Sequence, residues 1–138
     1  MKKLIAFITL ITSMQVVVAQ DSHELIVKVE NIKDLKGSLK IAVYNHEDHF
    51  LSNAIMSDDK LIDSNEMIFS FKGLVEGIYA ISLFHDENDN GKLDSNFIGI
   101  PTEPYAFSNN AKGMFGPPSF EDCKFEVKAD AHEIVISL

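Results

Sequence analysis

The segment Asp86-Glu87-Asn88-Asp89-Asn90-Gly91-Lys92-Leu93-Asp94 puts oxygen-bearing side chains at alternating positions and then turns at a glycine. A calcium ion takes about six to eight oxygen ligands, and this spacing follows the start of a calcium loop. Oxygen side chains fall at its first, third and fifth positions, glycine at the sixth, an apolar residue at the eighth and a carboxylate at the ninth. Asp86, Asn88, Asn90 and the Lys92 carbonyl would supply oxygens, with Asp94 binding directly or through water. Where such loops carry a bidentate glutamate this chain has Phe97, and no flanking helices are predicted. A carboxylate from elsewhere must complete the shell, and Glu103, Glu121 or Asp122 are the candidates. The same residues also form a favourable turn without any metal, because Asn and Asp side chains bond nearby amides and glycine accepts positive φ.

Other groups point less sharply to chemistry. His46 and His49 have a spacing that could hold a transition metal from a loop, but an exposed polar loop explains them as well. His85 follows an apolar strand and reads first as a hydrogen-bonded core residue, with a role beside the Asp86 loop as the alternative. Cys123, the single cysteine, lies between Glu121-Asp122 and Lys124. A reactive thiol wants a basic neighbourhood, so this one is expected to be structural. Asp86 or Asp94 with Glu103 could form an acid–base pair for a hydrolase, yet spacing alone cannot set two carboxylates at a working distance. Nucleophile-elbow, phosphate-cradling and zinc-helix motifs are missing from the sequence.

These residues depend on the elements around them. Leu25, Val27 and Val29 alternate with polar neighbours, as do Leu39, Ile41 and Val43 after the Lys36-Gly37 turn, and then Met67, Phe69 and Phe71 up to Gly73. A period of two predicts half-buried strands. Ile78 to Phe84 is apolar on both faces except at Ser82, which suits a central strand. Phe125 and Val127, then Ile134, Ile136 and Leu138, predict a closing hairpin around Ala129-Asp130, and a weaker strand is expected near Lys60 to Asp63. The sum is an all-β, antiparallel β-sandwich of about seven strands, transthyretin-like or immunoglobulin-like. Leu74, Gly77 and Tyr79 add a corner of the kind such sandwiches use.

Between these strands lies one long segment. Asp86 to Asp122 spans 37 residues and holds all four prolines, four of the seven glycines and five aromatic rings, against an ordinary connection of about 4–6 residues. A disordered linker would not spend so many rings, so an ordered, functional loop is expected. Tyr105, Phe107, Phe115 and Phe120 are its candidate ligand-binding platforms, with packing onto the sandwich as the alternative.

Charge and targeting narrow the setting. Lys2 and Lys3, the apolar run Leu4 to Val18 and the small residues ending at Ala19 have the order of a signal peptide, residues 1–19. The apolar run is too short and interrupted to span the ~30 Å of a bilayer, so no membrane anchor is expected after its removal. The remaining single domain, residues 20–138, would be periplasmic or secreted. It carries ten lysines and no arginine against 21 carboxylates, a net charge of −11. That balance disfavours nucleic acid and anionic surfaces and favours cations or neutral ligands.

The stretches His85 to Asn88, Asn90 to Asp94, Asn96-Phe97, Gly99-Ile100-Pro101 and Glu103 read as one signature. It continues through Tyr105, Phe107 to Asn110, Gly113, and Phe115 to Phe120. Together they closely resemble the exported bacterial domain-of-unknown-function family 2141 over essentially the whole mature chain. Met114 is the one departure. The resemblance implies an exported β-rich domain with no assigned activity. The expected function is therefore a non-enzymatic, calcium-stabilised module that binds an unknown ligand or envelope protein through the loop 86–122. The alternatives are a metal-free carbohydrate- or apolar-ligand-binding protein and a carboxylate hydrolase.

Overall fold

The computed structural model describes residues 22–128 and 130–138; the expected signal peptide lies outside them. Alternation of apolar and polar residues produces the two sheets. β1 (His23–Glu30) is flanked by β4 (Met67–Leu74) and β8 (Ala131–Ser137) in a three-stranded sheet. The second sheet runs β3 (Met56–Leu61), β2 (Ser38–Tyr44), β5 (Gly77–Asp86). The far edge of β5 takes two short strands in succession, β6 (Tyr105–Phe107) opposite Ser82 to Phe84 and β7 (Phe125–Val127) opposite Gly77 to Tyr79.

The inward residues of both sheets meet in one core. Leu25, Val27, Val29, Phe69 and Ile136 come from the first sheet, and Leu39, Ile41, Val43, Ile81 and Leu83 from the second. This is the expected β-sandwich. Tyr79 closes its corner as anticipated: its hydroxyl donates to the Val75 carbonyl at 2.8 Å, the bond that fixes such corners.

Three sequence expectations change. The closing hairpin does not form, because β7 pairs antiparallel with β5 while β8 runs parallel to β1 in the opposite sheet. That pairing sets Ile134 and Ile136 beside Val27 and Val29 and buries Ile136 completely, a gain the hairpin would forgo. The weak strand near Lys60 begins earlier, at Met56, since β2 dictates its register from Val43↔Met56 to Ser38↔Leu61. The long loop also contains regular structure of its own: β6, a 3-10 turn at Ser108–Asn110 and the short helix α1 (Phe120–Cys123).

The loop covers the outer face of β5. Ala80, Phe107 and Cys123 form a second apolar cluster there, with Phe50, Ala111 and Phe120 against it. Between β6 and β7 the ladder has a gap, and Ser108 bridges it. Its hydroxyl accepts from the Ile81 amide at 2.9 Å and donates to the Cys123 carbonyl at 2.5 Å. The buried backbone of β5 is thereby satisfied where no strand lies beside it.

Candidate functional site

The end of β5 delivers Asp86 to the site. Ladder pairing extends to Ser38↔Asp86, so the Asp86 carboxylate stands on the outer face of the sheet, fully buried. Gly37 allows this. A Cβ at position 37 would lie 2.1 Å from the Asp86 carbonyl oxygen, and φ is +67° there, so the close approach of the β2 turn to β5 requires glycine.

From Asp86 the chain folds back over its own carboxylate. Asp86 accepts the Asn90 amide at 3.0 Å and the Gly91 amide at 2.7 Å. Asn88 and Asn90 form successive turns, their Oδ1 atoms accepting the amides of Asn90 at 3.1 Å and Lys92 at 2.9 Å. Gly91 sits at φ +80°. The side-chain amides of Asn88 and Asn90 donate to the two Asp94 oxygens at 2.7 and 2.9 Å. Asp86, Asn88, Asn90 and Asp94 are thus drawn into one compact loop, and its hydrogen bonds are those of the metal-free turn that the same residues also predict.

Of the three completing carboxylates, the structure brings Glu103 to the loop. Its Oε1 accepts the Glu87 amide at 2.9 Å and its Oε2 the Asp94 amide at 2.8 Å, and the side chain is buried. Glu121 and Asp122 are used elsewhere. Glu121 pairs with Lys124, and Asp122 makes a capping box with Ser119 at the start of α1. Neither belongs to the loop.

Sequence reasoning missed two residues on β2. Lys40 places its ammonium 3.8 Å from Asp86 Oδ2 and 4.0 Å from Asp59, a resident positive charge beside a buried carboxylate. Ser38, opposite Asp86, is buried, and its hydroxyl has no partner among the described residues. Nothing local marks either one, because their roles depend on the β2–β5 register. Among the described residues no three or more His, Cys, Asp or Glu side chains gather as a metal-binding group by themselves. The donors at the loop are mixed carboxylate, amide and backbone oxygens. An all-oxygen set of that kind fits a hard cation such as calcium and does not fit zinc or copper. Binding there would require Asn88 and Asn90 to turn their amide oxygens inward, a rotation about soft terminal torsions.

The remaining candidates separate cleanly. Phe107 is buried, and Phe120 packs edge-on against Phe50 at 5.7 Å between centroids. Tyr105 is partly exposed and Phe115 is 100% exposed. Phe120 is half-buried, and Tyr105 and Phe115 are the more exposed rings of the four. Two further exposed groups went unflagged as ligand sites: Phe97-Ile98 with Ile100, and Met114 beside Phe115. His85 is a buried core residue whose Nε2 bonds the Lys36 carbonyl at 2.7 Å. His46 Nδ1 accepts the Asp48 amide at 3.2 Å and caps a 3-10 turn (Glu47–His49). Cys123 is buried, and burial first, then the Asp122 charge, pushes its thiol up to about 11, far from the range of a nucleophile.

No curated protein and no solved structure matches the chain at significant similarity. A family model does, over residues 27–135, described as an uncharacterized protein conserved in bacteria. That span begins within β1 and ends within β8, so it takes in most of both sheets, the Asp86–Asp94 loop and Glu103, and the chain belongs to this family, DUF2141.

Proposed function

We propose that the protein is an exported, non-enzymatic β-sandwich module that binds calcium at Asp86 to Asp94 and engages a ligand or envelope partner through its long loop. The carrying observation is Glu103. Sixteen residues from Glu87 and nine from Asp94, it bonds both their amides, so a third carboxylate stands beside a loop that already holds Asp86 and Asp94. Asp86, Asn88, Asn90 and Asp94 with the Lys92 carbonyl and Glu103 would hold the ion. When bound, the ion supplies charge neutralisation and a cross-link between the two ends of the loop.

The hydrolase reading gains less support. Neither Asp86, Asp94 nor Glu103 lines the clefts beside Tyr105 or beside His85, whereas a general acid or base must face substrate. A metal-free binding protein is favoured by one observation, an open cleft of about 400 Å³ beside Tyr105, Phe107 and Lys112.

Thermal melts in calcium and in chelator test the calcium reading. Metal at a hundred times its dissociation constant adds about 2.7 kcal/mol to folding, so wild type melts higher in calcium and Asp94→Asn does not. Equal melting of wild type in both conditions would end this reading.

A further inference from the structure

The second sheet ends at β6, and among the described residues no strand flanks that edge. One bond fixes which way its main-chain groups point: the His85 amide donates to the Pro104 carbonyl at 2.9 Å. Bonded pairs alternate along an antiparallel ladder. With Leu83 opposite Ala106, Pro104 and Ala106 therefore turn their polar groups toward β5, and Tyr105 and Phe107 turn theirs away. The Tyr105 amide and carbonyl and the Phe107 amide have no partner among the described residues. Phe107 is 6% exposed, and an amide so sheltered is seldom left unpaired.

These groups border the cleft of about 400 Å³, whose opposite wall is the end of β8. There the same need is met from within. The Leu138 amide donates to Glu30 in β1, so Ser137 faces the other way, and its amide donates to Asn110 Oδ1 at 2.8 Å. A side chain thus caps the β8 edge, while the β6 edge stays open. Among the described residues of the lining, Lys112 is the one charged side chain, and it makes no ion pair there.

We propose that an extended peptide segment of a partner protein adds to the second sheet along β6, with a carboxylate of that peptide meeting Lys112. The proposal rests on the partner-binding part of the reading above and is independent of calcium. The three open groups have the alternate-residue spacing of a strand edge, roughly 7 Å for two residues. Another extended main chain completes such an edge bond for bond. The peptide residue opposite Ala106 shares its inward face and points toward Leu138, so an apolar side chain belongs there. A cleft with a lysine and no Asp or Glu in its lining is the local complement of a carboxylate, since charges beyond about 8 Å are screened at physiological salt. A second copy as occupant would bring a whole chain of net charge −9 against another, which opposes self-pairing.

Selection of a displayed library of random short peptides against the protein, then amide-resolved NMR with a selected synthetic peptide, tests this. The Tyr105 and Phe107 amides are expected to shift and to gain protection from hydrogen exchange, while the Ala106 amide, already turned to β5, keeps the protection it had. N-methylating the peptide amide that meets the Tyr105 carbonyl weakens binding at least about tenfold, and N-methylating the next amide changes it less than about twofold. Lys112→Glu weakens binding about tenfold with the melting temperature unchanged. Indifference to N-methylation at every position overturns strand addition, and indifference to Lys112→Glu overturns the carboxylate contact. Peptides that shift the Met114 and Phe115 amides instead overturn the β6 edge and leave partner binding by the long loop standing. A library that yields no binder overturns both and leaves the calcium site to the melts. Shifts of Tyr105 and Phe107 with protein concentration alone give the edge to a second copy and overturn the proposal.

Discussion

Glu103 accepts the backbone amide of Asp94 at 2.8 Å and so ties the end of the acidic loop to the chain returning toward β6. The same carboxylate holds the Glu87 amide, so one side chain is bonded to both the start and the end of the loop. Replacing it tests two roles at once. Glu103→Gln keeps one amide acceptor and removes the charge, and is expected to lower metal-free stability by about 1–2 kcal/mol. On the proposed calcium reading it should also remove any stabilisation by calcium. Urea unfolding with and without calcium checks both effects.

Gly37 carries the approach of β2 to Asp86. Gly37→Ala forces a Cβ onto the Asp86 carbonyl in a left-handed conformation and is expected to cost at least about 1–3 kcal/mol. Gly91→Ala, also at positive φ but with nothing within 4 Å of its Cβ, should cost less, about 1 kcal/mol. Equal losses in urea unfolding would contradict the close approach.

The loop aromatics divide by burial. Phe107→Ala removes a ring from the second apolar cluster and should cost about 3–5 kcal/mol. Phe115→Ala, at full exposure, should stay within about 0.5 kcal/mol of wild type. Thermal melts of the two variants decide the matter, and similar melting temperatures would refute the division.

Cys123 makes a pH-dependent contribution whose sign follows from burial. In the folded protein burial pushes its pKa up to about 11, above the ordinary thiol value of 9.0. The unfolded chain therefore releases the thiol proton first, and the contribution is complete below pH 9 and lost as pH rises toward 11. Cys123→Ala should flatten that part of the stability–pH curve. At pH 8 a disulfide reagent should modify the thiol only after unfolding.

Local patterns carried much of this fold. Alternation at Leu25 to Val29 and Leu39 to Val43 marked β1 and β2, and Leu74 to Tyr79 marked the corner. The parallel placement of β8 was not legible, since Ile134 and Ile136 alternate identically in a hairpin or beside β1, and only burial against Val27 and Val29 chooses. β6 was hidden by its three-residue length between Pro104 and a 3-10 turn. At the site, the spacing of Asp86, Asn88, Asn90 and Asp94 was legible because their contacts are local. The choice of Glu103 over Glu121 and Asp122 was not, because it depends on a small hairpin, bridged at Ser95 and Pro101, bringing Glu103 back. Phe107 and Phe115 are likewise indistinguishable in sequence, and which of them is buried follows from the pairing of β6 with β5.

The most direct test of the calcium account is an amide-resolved NMR titration of metal-free protein with calcium. The amides of Gly91, Lys92 and Asp94 should shift together and saturate with one dissociation constant, within the ~10⁻⁴–10⁻³ M range of extracellular calcium modules. Magnesium should shift them less, and Glu103→Gln should remove the response. Unmoved amides through the titration, or the same shifts in Glu103→Gln, would contradict calcium binding by this loop.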